Sequence, residues 1–206
     1  MYARSTTIQG DPTRIDTLIA FVRDEVMPTI TGIDGNVGLS LLVDRESGRC
    51  IATSSWETEQ ARSDSFDALA SSRARGAEIL GGEIQIDDWE IAVMHREHRV
   101  AADSCCRVTW AQYPQSDVDR GIEFFRDTVL PFAEGMDGFS SASLMVDRAT
   151  GNAVGTIAFD SRAAMAASRA AASQMRDRST QSTGTRFREV AEFELALAHL
   201  RVPERV

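Results

Sequence analysis

Residues 32–45 read GIDGNVGLSLLVDR and residues 135–148 read GMDGFSSASLMVDR. The second stretch begins 103 positions after the first, and that spacing decides how the rest of the chain is read. Laid over one another without a gap, 32–61 and 135–164 agree at 11 of 30 positions, among them Asp34/Asp137, Gly35/Gly138, Ser40/Ser143, Asp44/Asp147 and Arg45/Arg148. Upstream, FVRDEVMP (21–28) lies over FFRDTVLP (124–131). Downstream, DWEIAVMH (88–95) lies over EFELALAH (192–199) at an offset of 104, so one residue is inserted in the second copy between 165 and 191. Self-similarity over about a hundred residues marks a tandem duplication and takes precedence over any single motif. Repeat 1 is placed at 1–100 and repeat 2 at 101–206, joined by a few residues at about 98–104.

Each copy opens on a short strand (about 3–9 in repeat 1). Asp11-Pro12 supplies an N-cap and a first-turn proline. Ile15, Leu18, Ile19, Val22 and Val26 then recur on one helical face, as do Val118, Ile122, Phe125 and Val129. Pro28 and Pro131 are expected to close these helices. Two β-branched runs around ESG (46–48) or ATG (149–151) read as a hairpin. A second helix starts near Thr58. A last strand alternates Trp89, Ile91, Val93 and His95 on one face, matched by Phe193, Leu195, Leu197 and His199. The order β-α-β-β-α-β is the ferredoxin-like split unit.

A four-stranded sheet with both helices on one face leaves its other face bare. The second copy is expected to cover it. The fold predicted is therefore α+β, two ferredoxin-like βαββαβ repeats packed sheet to sheet as an intrachain pseudo-dimeric α+β barrel. A monomer suffices for this, with the outer surfaces left for a further homodimer.

The composition excludes several functions. The chain has 206 residues, 43% of them hydrophobic, and a net charge of −9 with no basic stripe, which argues against nucleic-acid binding. All 22 basic residues are arginine, as a GC-rich bacterial genome would produce, and this excludes a Schiff-base lysine and a Walker-type phosphate loop. No apolar run approaches the ~20 residues that span a bilayer. MYARSTTIQGD lacks a signal-peptide core, and three cysteines, two adjacent (Cys105, Cys106), make no disulfide framework. The location expected is cytoplasmic.

The layout resembles the antibiotic biosynthesis monooxygenase-like domains of the dimeric α+β barrel superfamily. The resemblance lies in the FVRDEVMP and FFRDTVLP helix ends, the DG turn, the hairpin, and the aromatic-acid strand endings Ser55-Trp56-Glu57 and Ala158-Phe159-Asp160. It implies a ligand pocket in each copy, between sheet and helices. Such proteins include cofactor-free oxygenases of aromatic compounds, quinol oxidases and haem-degrading enzymes. The last branch is disfavoured, because Asn36 and Asn152 fall in predicted turns and no histidine lies on a helix. No cofactor and no metal are expected; His95 with His98 spells H-x-x-H, but on a strand the two side chains point to opposite faces.

His95 and His199 end equivalent strands and are the candidate general bases, since a neutral imidazole can take a phenolic proton near neutral pH. A strand-end histidine bonded to a neighbouring carbonyl is the competing account. Trp56/Phe159 and Trp89/Phe193 keep an aromatic at matched positions, suited to core filling or to stacking on a planar ligand. Trp110 and Tyr113 have no aromatic counterparts, which makes repeat 2 the candidate pocket, with Arg107 as anion anchor or, matching Arg4, as a structural residue. The small-sided helix RAAMAASRAAASQM either follows helix propensity or leaves room for a ligand. The repeated Val-Asp-Arg is expected to brace the turn and to pair within or across copies. The functional expectation is a protein binding a small aromatic, apolar ligand, as a cofactor-independent monooxygenase or quinol oxidase; the alternatives are a non-catalytic sensor or carrier, or a structural interaction module.

Overall fold

The computed structural model describes residues 1–97 and 103–200, Leu200 by its backbone only. His98 and most of the joint between the repeats lie outside the described residues. Repeat 1 forms β1 (Tyr2–Gln9), α1 (Ile15–Phe21), α2 (Met27–Thr31), β2 (Asn36–Asp44), β3 (Arg49–Trp56), α3 (Glu59–Ala68), α4 (Ala70–Leu80) and β4 (Glu83–Arg96). Repeat 2 forms β5 (Cys105–Gln112), α5 (Val118–Phe124), α6 (Leu130–Glu134), β6 (Phe139–Asp147), β7 (Asn152–Phe159), α7 (Arg162–Ala167), α8 (Arg169–Thr183) and β8 (Arg186–Leu200). Both copies are βαββαβ, with each helix divided into two segments.

Local chemistry explains these boundaries. The Asp11 carboxylate accepts from the Thr13 amide ahead of α1, and Thr58 and Ser161 cap α3 and α7 by accepting from Ala61 and Ala164. Asn36 and Asn152 begin β2 and β7 rather than lying in turns. The prolines do not end the first helices. A π turn, Val22–Val26 or Phe125–Val129, precedes each one, and the helix continues through α2 or α6. Proline offers no amide hydrogen and its ring presses on the preceding turn; the wider π turn accommodates both.

In the hairpins, Gly48 and Gly151 both adopt φ of 74°, a left-handed conformation that glycine takes without strain. Asp44 accepts from the Glu46 amide and the Ser47 hydroxyl, and Asp147 does the same for Ala149 and Thr150. The aspartate of the repeated Val-Asp-Arg thus holds the turn. Gly81 and Gly184, both left-handed, end α4 and α8 at an offset still of 103, which places the inserted residue after Gly184.

The strands follow the order β1-β3-β2-β8-β5-β7-β6-β4, antiparallel and closed into an eight-stranded barrel. The chain divides into two compact units, and the last strand of each repeat runs through both. Among the described residues, unit 1 is Met1–Trp89 with 194–200, and unit 2 is Glu90–Phe193. In unit 1 the end of β8 pairs with β2, from Val43↔Glu194 to Gly38↔Leu200; in unit 2 the end of β4 pairs with β6, from Glu90↔Val146 to Arg96↔Ser141. Each exchanged segment carries a bulge at the same place, Ala196 or Ala92. The Arg of Val-Asp-Arg pairs across copies, Arg45 with Glu194 and Arg148 with Glu90, and within its own copy, Arg45 with Asp16 and Arg148 with Asp119. The unit 1 core gathers Ile15, Leu18, Leu41, Val43, Trp56 and Leu80, and that of unit 2 Val118, Ile122, Phe125, Leu144 and Val146.

Candidate functional site

Each unit has a partly open cavity between its sheet and its helices. The cavity of unit 1 is about 70 Å3 and that of unit 2 about 80 Å3, each room for several water molecules. Their linings correspond at the repeat offset, so the differences between them are informative. In unit 1 the side chains of Ile8, Ala52 and Leu69 face the cavity; in unit 2 the equivalents are the smaller Ala111, Gly155 and Ala172. The walls change the other way. Val22 is matched by Phe125, and unit 2 adds Phe132 and Tyr113 where repeat 1 has Thr29 and Gly10. With Phe124, Phe159 and Phe187, the unit 2 cavity is bounded by aromatic rings. The short side chains of the alanine-rich helix do face it, through Ala172.

One polar network recurs at the rim of both cavities. Arg107 donates from Nε and Nη2 to Glu192 (3.3 and 2.9 Å), from Nη1 to the Ser168 hydroxyl (2.8 Å) and from Nη2 to the Met165 carbonyl (2.7 Å). Arg4 donates to both Asp88 oxygens (2.7 and 3.0 Å) and to the Arg62 carbonyl (3.0 Å). Ser65 and Ser168 each close their own turn onto that same carbonyl. Both arginines are buried. A buried guanidinium whose donors meet a carboxylate and a carbonyl is a structural tie between strand and helix. Hydrogen bonds from Arg169 and Arg107 hold the Glu192 carboxyl down to about 2.

A second arginine lines each cavity at an equivalent position of the helix, Arg73 in unit 1 and Arg176 in unit 2. Burial, and the charge of Arg4 or Arg107 close by, lowers the pKa of both. Arg73 donates to the Phe66 carbonyl and lies 4.3 Å from the centre of the Phe66 ring.

The residues expected to form a site are distributed as follows. Arg107, Tyr113 and Phe159 line the unit 2 cavity. Trp110 lies on the other face of β5, edge-on to Phe193 at 6.3 Å, because the strand period of two separates it from Arg107, Thr109 and Ala111. Trp56 is fully buried and donates to the Ser54 hydroxyl; Trp89 donates to that of Ser5. His95 is buried in unit 2, its Nε2 3.0 Å from a Glu134 oxygen and its ring stacked on Phe139. His199 is exposed, opposite Leu39 in unit 1. Neither histidine lines either cavity. Burial pushes the Tyr113 hydroxyl up to about 12, so at neutral pH it is a donor rather than a base. Cys50, which lines the unit 1 cavity, is pushed up to about 12 by burial and stays a thiol. Among the described residues no three His, Cys, Asp or Glu side chains converge as a metal group would require.

The chain is 52% identical over 206 residues to the uncharacterized protein Rv2557 of Mycobacterium tuberculosis, covering 100% of this chain and 92% of the relative. It is 50% identical over 207 residues to Rv2558 of the same organism, at 100% and 88% coverage. The chain belongs to the family of Rv2557 and Rv2558. No family model matches it. Among solved structures, a candidate monooxygenase of Fusobacterium nucleatum (FN1347) superposes with a TM-score of 0.72 at 12% identity, covering 100% of this chain and 96% of its own. An anthrone oxidase-like protein gives 0.68 at 12% identity, with 98% and 94% covered. A Listeria monocytogenes ferredoxin-fold protein related to antibiotic biosynthesis monooxygenases gives 0.54 at 9% identity, with 94% of both chains covered. The fold of the Rv2557 family is thus that of the antibiotic biosynthesis monooxygenase-like proteins.

Arg176 did not stand out in the sequence, and Ala172 did so only as one residue of the small-sided helix. The signal that could have found them is the comparison of the repeats along α4 and α8, column by column: Leu69 against Ala172, Arg73 against Arg176.

Proposed function

We propose that this chain binds a small, largely apolar aromatic molecule in the cavity of unit 2. The observation that carries the proposal is the paired change in lining: three side chains are shortened at Ala111, Gly155 and Ala172 while rings are added at Tyr113, Phe125 and Phe132. Shortening alone would leave a void, and each void in a packed core costs stability. Aromatic walls around it suit a planar guest, which gains from burial and from edge or face contacts with the rings. The proposal is for binding without turnover. A metal-free and flavin-free oxidation of a phenol needs a base at the ring, and both His95 and His199 stand away from the cavity lining while Tyr113 keeps its proton.

The test is melting temperature against a panel of planar aromatic compounds, with native mass spectrometry on freshly purified protein. A dose-dependent rise for ring compounds is expected, absent in Ala172→Leu. No rise with any ring compound, together with a bare native mass, overturns the proposal. Oxygen uptake on adding a bound phenol would replace the carrier by an oxygenase and return His95 and His199 to candidacy.

A further inference from the structure

We propose that the guest of the unit 2 cavity is an aromatic acid, its ring body among Phe124, Phe125, Phe132 and Phe187 and its acidic group on Arg176. This rests on the binding function proposed above and adds the head group. The argument begins with the partners of the nearby charges. Glu192 receives Arg107 on one oxygen and Arg169 on both, at 2.5 and 3.0 Å. One carboxylate is therefore shared by two guanidinium groups, neither of them that of Arg176. Asp177, exposed and adjacent to Arg176 on α8, attracts it through space but makes no hydrogen bond or ion pair with it. Arg176 has no hydrogen bond or ion pair among the described residues, yet it lines an apolar cavity beside a second positive charge.

Unit 1 serves as an internal control. There the equivalent Arg73 lies over the Phe66 ring and donates to the Phe66 carbonyl, and Arg4 lies 4.8 Å over the same ring. The counterpart of Phe66 in repeat 2 is Arg169. The ring that occupies Arg73 has thus been replaced by a further cation, and Arg176 lines the cavity without the ring and carbonyl that engage Arg73. A guanidinium in apolar surroundings matches a carboxylate or sulfonate in two-point geometry. On a chain of net charge −9, an unpaired cation at a cavity is also local selectivity against the protein's overall repulsion of anions.

The test uses two fluorescent probes of nearly the same shape: anilinonaphthalene sulfonate, which is an anion, and N-phenylnaphthylamine, which is not. Each is titrated into wild type, Arg176→Gln, Arg176→Lys, Arg73→Gln and Ala172→Leu. The anion is expected to bind wild type at least tenfold more tightly than the neutral probe. Arg176→Gln should weaken the anion by about tenfold or more and leave the neutral probe unchanged. Arg176→Lys should recover part of the loss, Arg73→Gln should change nothing, and Ala172→Leu should abolish both. If both probes bind wild type equally, or Arg176→Gln weakens them alike, the acid head group is overturned while the binding function stands. If neither probe binds wild type, both fall.

Discussion

A Cβ placed at Gly121 would come within 2.4 Å of Cε1 of the Tyr113 ring. Tyr113 stands over the one position of α5 that has no side chain, and repeat 1 reverses the pair, with Gly10 and Leu18 at the equivalent sites. Small and large have changed places between the copies. Gly121→Ala should therefore destabilise the protein by about 1–3 kcal/mol, the usual cost of overpacking. In a Tyr113→Ala background the same change should stabilise by up to about 1 kcal/mol, since alanine is the better helix former. Urea denaturation of the four proteins reads the change of sign, and the same sign in both backgrounds would contradict the packing relationship.

Arg107→Ala should cost about 2–4 kcal/mol, because it removes a buried tie between strand and helix and takes one of the two guanidinium partners from Glu192. Arg107→Lys should recover little of this. An ammonium cannot reach Glu192, Ser168 and the carbonyl together in the guanidinium's geometry. Full rescue by lysine would show that charge alone matters there.

Glu192 supplies an acid-linked component of stability. Its folded pKa, about 2, lies below its ordinary 4.5. Its contribution is therefore complete above about pH 4.5 and is lost as pH falls through 2. Wild type and Glu192→Gln should differ by a constant amount at pH 5 to 7 and converge towards pH 2. A difference that persists undiminished at pH 2 would mean that the carboxylate charge is not its source.

The two hairpins separate turn chemistry from surface charge. Asp44→Ala should cost about 1 kcal/mol, through loss of the bonds to Glu46 and Ser47. Arg45→Ala should cost less than about 1 kcal/mol and depend on salt, since its pairs are partly exposed. Thermal melts at low and high salt rank the two. A larger, salt-insensitive loss for Arg45→Ala would reverse the assignment.

Leu69→Ala imports the repeat 2 residue into the unit 1 cavity and should cost about 2–5 kcal/mol. The cost should shrink in the presence of a planar aromatic guest if the enlarged space admits one, which melting curves with and without the guest would reveal.

Much of this was legible in the residues. The βαββαβ order, the caps at Asp11 and Thr58, the hairpin glycines and the role of Val-Asp-Arg all rest on local chemistry. The prolines misled because a proline reads as a stop unless the π turn before it is known. Trp110 could have been separated from Arg107 and Tyr113 by parity alone, since an even position on a strand faces away from odd ones. The reach of β4 and β8 into both units was not legible. A strand pattern states which face is apolar, not which neighbour it will find. The same holds for Arg176, whose meaning depends on what Glu192 is already bonded to.

The exchange of β4 and β8 bears on how such a chain could have arisen and how it can vary. A fragment ending at residue 100 would carry β2 without the ladder that β8 supplies from Glu194 to Leu200, and would end with a segment of β4 whose partner β6 it lacks. A lone ancestral repeat of this design would have had to find a second molecule before either pairing could form. Joining two in one chain makes that encounter independent of protein concentration. It also lets the halves accept different mutations, because each gene now encodes an unlike pair. The Phe66 and Arg169 positions, and those of Gly10 and Tyr113, are places where the two halves differ.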